Sequence, residues 1–377
     1  MARRLCAETS YPWQLLGVAG YGLSDANRLL PAEPLGEESW SSIMTSARTH
    51  RMTGPLSAAI DSGAFPATVV QAEQARAAHM AAMVWVLSLE RELLIVIDLL
   101  TQADVETRIL KGTAVAHLDY SNPSLRSFID LDILLRAEDF DRAVRTLVAA
   151  GFIRRLSEPR PGFDQRFDKG TTLVGAAGYE LDLHRTFVLG PWGLLVDLND
   201  LWDCGEEVVI GGRSLRALSR YNRLLHACYH AALGDWPLRL GSLRDVAEMA
   251  MSGDRDAAVV RTLAAHWRAE AVVAAAVADA WRLLGIGATT ELSSWAGSYL
   301  PTRQDESKLA LHTRADKTFA AQALSTLIAM PRLRDKAAYV RALMLPDAQY
   351  VAGRHSSAFA RFRYGIREAR RGRARPQ

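Results

Sequence analysis

Cysteine is scarce in this sequence, and the few cysteines are far apart. The 377 residues contain 3 cysteines, Cys6, Cys204 and Cys228. Their separation provides neither a zinc-binding spacing nor a disulfide framework. The segment after Met1 is basic but lacks the apolar run of a secretory signal peptide. We therefore predict a cytoplasmic protein.

Strong net charge and long uncharged apolar runs are also missing. The formal net charge is only +3, so we predict no nucleic-acid partner. The most apolar window, residues 80–100, contains Glu90, Arg91, Glu92 and Asp98. A membrane span would exclude so many charges, and the window predicts a buried helix and no membrane partner.

What the sequence does contain is a central group of short strands between helical regions. Hydrophobic residues make up 49% and charged residues 23% of the chain, as in ordinary globular proteins. The periodicity predicts an α/β (mixed α+β) fold, in which a mixed sheet is flanked by N- and C-terminal helical regions. The predicted boundaries are a helical region at 1–103, a core at 104–217, and a helical region with a basic tail at 218–377. Predicted strands cover 105–110, 127–135, 152–156 and 179–185, with hairpins at 163–174 and 208–218; predicted helices cover 38–62 (broken at Gly54-Pro55), 66–103, 113–120, 137–150, 240–251, 255–285 and 315–345.

Two carboxylates on one predicted strand indicate the chemistry. Asp130 and Asp132 are separated by one residue, so their side chains point to the same face, about 7 Å apart along the strand. Leu131 and Ile133 point to the opposite face, which a core can cover. Neighbouring carboxylates on an apolar strand repel each other, and a divalent cation relieves that repulsion. Hard oxygen ligands favour Mg²⁺ or Mn²⁺.

The motifs around this strand resemble those of a nucleotidyltransferase family. The sequence has Leu110-Lys111-Gly112, then Arg126, then the segment DLDIL at 130–134, and later Asp182-Leu183-His184. It resembles a family of largely uncharacterised bacterial nucleotidyltransferases within the superfamily that includes DNA polymerase β. The resemblance covers roughly residues 60 to 255. Further family-like residues are His226, His230, Arg239, Leu240 and Asp245.

The resemblance implies a polymerase β-like core and a role for each motif. Lys111, Gly112, Thr113 and Arg126 would bind a nucleoside triphosphate, with Gly112 allowing the backbone to approach the phosphates. The resemblance also implies that Asp130, Asp132 and Asp182 are the catalytic and metal-binding residues. An acceptor hydroxyl would attack the α-phosphorus and release pyrophosphate.

Several of these residues have simpler interpretations. Glu180 could share or replace the role of Asp182, and Arg126 could pair with Asp119 or Asp130. His184 could contact substrate or hydrogen-bond Asp182. His226, His230 and Arg239 are further candidates for contact with the substrate or for support of the site. His226 and His230 lie one helical turn apart, as metal ligands can, but they could instead line a pocket or fill the core. Arg239 could simply form an ion pair with Asp245. The arginines between 354 and 375 predict a solvated tail.

Two functional hypotheses follow. The first is Mg²⁺-dependent transfer of a nucleoside monophosphate, with AMP as the leading choice, to a hydroxyl on a small molecule, peptide or protein. Relatives that neighbour peptide natural-product genes, including those for lasso peptides, add a biosynthetic role by association. The second hypothesis is a nucleotide-binding or scaffold protein with little turnover in a biosynthetic complex. The retention of three carboxylates favours the enzyme.

Overall fold

The fold is built on one seven-stranded mixed sheet. A computed structural model describes residues 11–23, 29–234, 237–253, 255–313 and 319–352. The strand order is β3-β4-β5-β2-β1-β7-β6. Strand β2 runs antiparallel to β1 and parallel to β5. The strands are β1 (Thr107–Ile109), β2 (Asp130–Leu135), β3 (Ile153–Arg154), β4 (Gly170–Val174), β5 (Glu180–His184), β6 (Glu206–Ile210) and β7 (Arg213–Ala217).

Helices precede and follow the sheet, and the mixed α+β class predicted from the sequence is confirmed. The division at 103 and 217 stays a prediction. Short 3₁₀ turns cover Pro123–Leu125, Ala137–Asp139 and Pro191–Leu194, and a π turn covers His230–Gly234. The α-helices are Trp13–Gly20, Glu37–Thr49, Thr53–Asp61, Val69–Gln102, Thr113–Asp119, Phe140–Ala149, Phe163–Arg166, Arg220–Tyr229, Leu240–Met251, Ala257–His266, Glu270–Leu284, Glu291–Ser298, Arg303–Thr313, Phe319–Ala329, Leu333–Met344 and Ala348–Ala352.

Turn residues fix several boundaries of these elements. Gly211 and Gly212 both have positive φ (56° and 79°) between β6 and β7, as a tight hairpin requires. Ser219 accepts a hydrogen bond from the Asn222 amide and caps the following helix. Gly285 adopts the left-handed conformation that ends helix Glu270–Leu284.

Several local predictions were wrong. The helices predicted at 255–285 and 315–345 are each divided into two, with breaks at 267–269 and 330–332. Phe163–Arg166 is a helical turn rather than a hairpin strand, and β4 pairs with β3 and β5 instead. The break in the 38–62 helical segment falls at residues 50–52 rather than at Gly54-Pro55. Pro55 lies in the first turn of helix Thr53–Asp61, where a backbone N–H has no helical partner to lose.

Each face of the sheet packs on a different set of helices. Leu131, Ile133 and Leu135 share a core with the long helix Val69–Gln102 and with helix Phe140–Ala149. Leu134, on the carboxylate face, belongs to a second core. In that core the helices before residue 62 pack together with those between 220 and 284. The alternation along β2 therefore aims its carboxylates toward the helices that follow the sheet.

The structure describes the helix that was considered as a membrane span, but not the predicted basic tail. Among the described residues, no helix is both long enough and apolar enough to cross a membrane. The basic segment at 354–375 and Cys6 lie outside the described residues. Cys204 is exposed and Cys228 is buried, and both are free thiols.

Candidate active site

The predicted carboxylates meet across two neighbouring parallel strands. Asp132 of β2 pairs in register with Asp182 of β5, and Asp130 pairs with Glu180. Paired residues on adjacent strands point to the same face and lie about 4.8 Å apart. The sheet therefore brings together Asp132 and Asp182, which are far apart in sequence.

Asp132 lies at the centre of a buried charged cluster. Lys111 Nζ lies 3.1 Å from Asp132 Oδ2 and 3.4 Å from Asp130 Oδ2, and His184 Nε2 lies 2.9 Å from Asp132 Oδ1. Burial alone would raise the pKa of Asp132, but Lys111 and His184 outweigh it and hold that pKa far below its usual range. Burial likewise opposes the charge of Lys111, while Asp132 and Asp130 raise the pKa of its ammonium group. Asp132 is therefore ionised at neutral pH.

Asp182 is the more accessible carboxylate of the pair. Its side chain is 20% exposed, whereas that of Asp132 is fully buried. Thr172 of β4 donates a hydrogen bond to Asp182 Oδ1, and Lys169 Nζ lies 4.0 Å from Oδ2. Glu180, the alternative to Asp182, is paired with Arg155. An incoming molecule can thus reach Asp182 more readily than Asp132.

The donor atoms at this point suit a divalent cation. One ligand atom each from Asp132, Asp182 and His184 lie within 4.8 Å of one another. Asp132 Oδ2 is buried and, among the described residues, accepts no well-aligned hydrogen bond. Two carboxylates suit Mg²⁺ or Mn²⁺, whereas an imidazole ligand shifts the preference toward softer metals. Because His184 already bonds Asp132, its position also fits that of a residue orienting a metal ligand.

The turn after β1 has the conformation that a close backbone approach requires. Gly112 has φ +58° and ψ −109° and immediately precedes helix Thr113–Asp119. A Cβ at this position would lie 3.3 Å from the Phe128 ring. Thr113 is buried, and within the described part of the chain its hydroxyl has no hydrogen-bond partner. A glycine with positive φ and an unused hydroxyl are features of a phosphate-binding turn.

We expect Gly112→Ala to raise the KM for the nucleoside triphosphate roughly tenfold, because a side chain disfavours this backbone conformation by about 1–3 kcal/mol. Initial rates measured against triphosphate concentration test this. The control is Gly253→Ala, since a Cβ at Gly253 would meet no atom of the described residues within 4 Å. Equal KM values for the two variants would contradict a role for the Gly112 turn.

Arg126 holds the glycine turn in place. Its Nη1 donates to the Gly112 carbonyl at 2.9 Å. Its Nε and Nη2 each donate to a carboxylate oxygen of Asp245, both at 2.8 Å, and Tyr120 Oη donates to the same carboxylate at 2.7 Å. The sequence had suggested Asp119 or Asp130 as the partner of Arg126. Asp119 is instead paired with Arg223 and Arg255.

The two helical histidines, His226 and His230, are close enough to Lys111 and Asp132 to feel their charges. The rings of His226 and His230 are nearly parallel, with centroids 6.4 Å apart. His226 also packs against the edge of Phe187. Burial and the charge of Lys111 hold the pKa of both histidines well below the usual value, so both are neutral. Neither belongs to a three-ligand metal cluster among the described residues.

Arg239 immediately precedes helix Leu240–Met251, on which Asp245 lies. The candidate site residues named from the sequence all lie within the described residues, and their catalytic and binding roles stay predictions. Tyr120, Thr172 and Lys169 were not identified from the sequence. A Tyr, a Thr and a Lys carry no motif of their own, and only the pairing of β4 with β5 and the packing of Asp245 reveal them.

Comparison with known proteins adds a family and two solved structures. A family described as "Uncharacterised nucleotidyltransferase" matches residues 36–285. Lincomycin-bound lincosamide antibiotic adenylyltransferase LnuA shares 18% identity, with 42% of this chain and 94% of that chain covered and a TM-score of 0.30. An antigenic nucleotidyltransferase-like protein from Paracoccidioides brasiliensis shares 15% identity, covering 50% and 92% respectively, with a TM-score of 0.27. No curated protein matches.

Proposed function

The chain belongs to the family of uncharacterised nucleotidyltransferases, and from that membership we propose that it transfers a nucleoside monophosphate from a nucleoside triphosphate to a hydroxyl group on an acceptor. The observation that carries the proposal is the pairing of Asp132 with Asp182, beside Lys111 and the Gly112 turn. Transfer to a hydroxyl requires groups that bind a charged triphosphate beside a proton acceptor. In this proposal Lys111 and the Gly112 turn bind the triphosphate, and the paired carboxylates provide the proton acceptor.

Each residue has a task that follows from its position. Gly112 and Thr113 receive the phosphates on the turn that Arg126 fixes. Lys111 supplies a positive charge next to the transferred phosphoryl group, where charge develops in the transition state. Asp182 accepts the proton of the acceptor hydroxyl, because it is the more exposed of the paired carboxylates.

Asp132, Asp182 and Asp130 would hold the divalent metal, with His184 fixing the orientation of Asp132. When bound, such a cation neutralises phosphate charge and polarises the phosphoryl oxygens. The preference for Mg²⁺ or Mn²⁺ belongs to the proposal. It is supported by the carboxylate donors and by the buried Asp132 oxygen that, among the described residues, accepts no well-aligned hydrogen bond.

The test uses ATP labelled at the α or the γ phosphate, with Mg²⁺ and a panel of hydroxyl compounds. We expect label from the α position to appear on the acceptor and label from the γ position to appear in pyrophosphate. Label transferred from the γ position alone would mean phosphotransfer and would overturn the proposal. Tight ATP binding without transfer to any hydroxyl compound would favour the scaffold hypothesis.

ATP as donor, a small-molecule, peptide or protein acceptor, and a role in peptide natural-product biosynthesis complete the proposal. They rest on the family resemblance. The same labelling experiment run with each of the four nucleoside triphosphates identifies the donor, because only the accepted base gives labelled product.

A further inference from the structure

The long helix Val69–Gln102 buries only one of its sides. Buried residues such as Leu89, Leu93 and Val96 pack on the sheet face opposite to the carboxylates. The sequence predicted a buried helix over its apolar window, but the other side of the helix is open to solvent. Large apolar side chains there are 45–76% exposed, namely Val69, Val70, Met80, Val84, Leu87 and Ile95. A continuous exposed apolar stripe indicates an interaction surface, whereas single exposed apolar residues do not.

The exposed stripe has the spacing of a coiled-coil seam. Alternating steps of three and four residues connect Val70, Glu73, Ala77, Met80, Val84, Leu87, Arg91 and Leu94. All of these residues are exposed except Leu94, which is partly buried. Residues spaced in this way lie on one side of a helix, where a second helix can pack against them. This 70–94 seam is about 36 Å long, at 1.5 Å per residue.

Two opposite charges are placed symmetrically in the 70–94 seam. Glu73 and Arg91 each lie nine residues from Ala82, and within the described part of the chain neither forms an ion pair. A parallel pair of identical helices would set each charge against its own copy, and like charges repel. An antiparallel pair centred on residue 82 instead sets Glu73 against Arg91 of the partner subunit, and does so twice. Charged and polar residues in a seam select direction and register in this way.

The apolar residues of the 70–94 seam match in the same antiparallel register. The apolar layers are Met80 with Val84 of the partner subunit, Ala77 with Leu87 of the partner subunit, and Val70 with Leu94 of the partner subunit. A shift of one heptad in either direction loses the charge match. Glu73 would then face either Asp98 of the partner subunit, which repels it, or Val84 of the partner subunit, which cannot pair with it. The register centred on residue 82 is therefore the one that satisfies both the apolar and the charged positions.

We propose that two copies of this chain form an antiparallel dimer through the 70–94 seam, with the two-fold axis level with Ala82. Every contact across such an axis occurs twice, because both subunits use the same surface. Burial of the exposed apolar side chains drives the association, and the Glu73–Arg91 pairs select the register. The seam points away from the sheet, so the carboxylate face stays open in each subunit. This inference does not depend on the proposed function.

The first experiment measures the mass of the full chain by analytical ultracentrifugation over a range of concentrations. We expect a reversible equilibrium between one and two copies, with dimers present at micromolar concentration. A chain that stays monomeric at every concentration would overturn the inference and would leave this face to a helix of another protein.

The second experiment reverses the two seam charges. Glu73→Arg and Arg91→Glu should each raise the dissociation constant of the dimer roughly tenfold, because each creates two like-charge pairs across the axis. Both substitutions in one chain should restore the affinity, since opposite charges then face each other again. The matched control is Glu306→Arg, at an exposed glutamate of helix Arg303–Thr313, and it should leave the dimer unchanged. A dissociation constant that is unchanged in both single variants, or that the combined variant fails to restore, would overturn the inference.

A third measurement tests the apolar layers. Leu87→Lys should abolish the dimer, because it places a charge against the alanine layer, while circular dichroism should show that the helices are retained. Leu333→Lys is the matched control, since Leu333 is 82% exposed and Leu87 is 64% exposed. A Leu87→Lys variant that dimerises like the unsubstituted chain would place the contact on another surface and would overturn the inference.

Discussion

Asp132→Asn is expected to reduce nucleotidyl transfer roughly 10³-fold, the size of effect seen when a charge-stabilising group at a reaction centre is lost. The amide has nearly the same shape as the carboxylate, but it carries no charge and binds divalent cations weakly. The loss should appear mainly in kcat, since the charge of Asp132 is proposed to act on charge that develops in the transition state. Calorimetric titration with Mn²⁺ should show weaker metal binding in the same variant.

Asp182→Asn provides the companion measurement, because its partly exposed side chain is less critical for folding. It should also reduce kcat strongly while thermal unfolding stays close to that of the unsubstituted protein. The matched control is Asp98→Asn. Asp98 is an exposed carboxylate on the long helix that pairs with Arg213, and its substitution should leave transfer unchanged. Full activity in both Asp132→Asn and Asp182→Asn would show that the reaction centre lies elsewhere.

The second large effect concerns the Arg126–Asp245 pair. Asp245→Ala is expected to lower the free energy of unfolding by about 3–5 kcal/mol, because it leaves a buried guanidinium without its counter-charge. Tyr120 also loses its hydrogen-bond acceptor. Urea denaturation of the variant measures the loss. Asp279→Ala, which breaks a surface pair with Arg282, should change the same free energy by less than about 1 kcal/mol.

A double variant distinguishes stability from positioning. Arg126→Met combined with Asp245→Leu should recover much of the lost stability, since apolar side chains replace buried ion pairs well. The KM for the triphosphate should nevertheless remain raised, because the Gly112 carbonyl has lost its Arg126 donor. Recovery of both stability and KM would contradict a positioning role for Arg126. A KM for the triphosphate that is unchanged both in Asp245→Ala and in the double variant would also contradict a positioning role for Arg126.

The shifted pKa values of Asp132 and Asp164 make the stability of the protein depend on pH in opposite ways. The pKa of Asp132 is depressed, so the stabilisation from its ionised form is present above the pKa of an unfolded aspartate and is lost only in strong acid. The pKa of Asp164 is raised to about 7, so its ionisation in the folded state opposes stability as the pH rises toward 7.

The sequence by itself determined the strand-and-turn framework of the site. Alternation along DLDILL placed Asp130 and Asp132 on one face and Leu131 and Ile133 on the other, because side chains on a strand alternate. Gly112 and Gly211-Gly212 marked turns because positive φ favours glycine. Features of this kind depend only on residues that are close together in the chain. Asp182, which is far from Asp132 in sequence, was identified through the family-like spacing of the motifs.

Only the tertiary structure decided which distant residues meet. The pairing of β2 with β5 sets Asp132 opposite Asp182, and the packing of helix Leu240–Met251 gives Arg126 its partner Asp245. The cavity between β4, β5 and the 343–350 segment joins residues separated by almost 200 positions. Sequence periodicity carries no information on strand order or helix packing, because many arrangements bury the same apolar faces equally well.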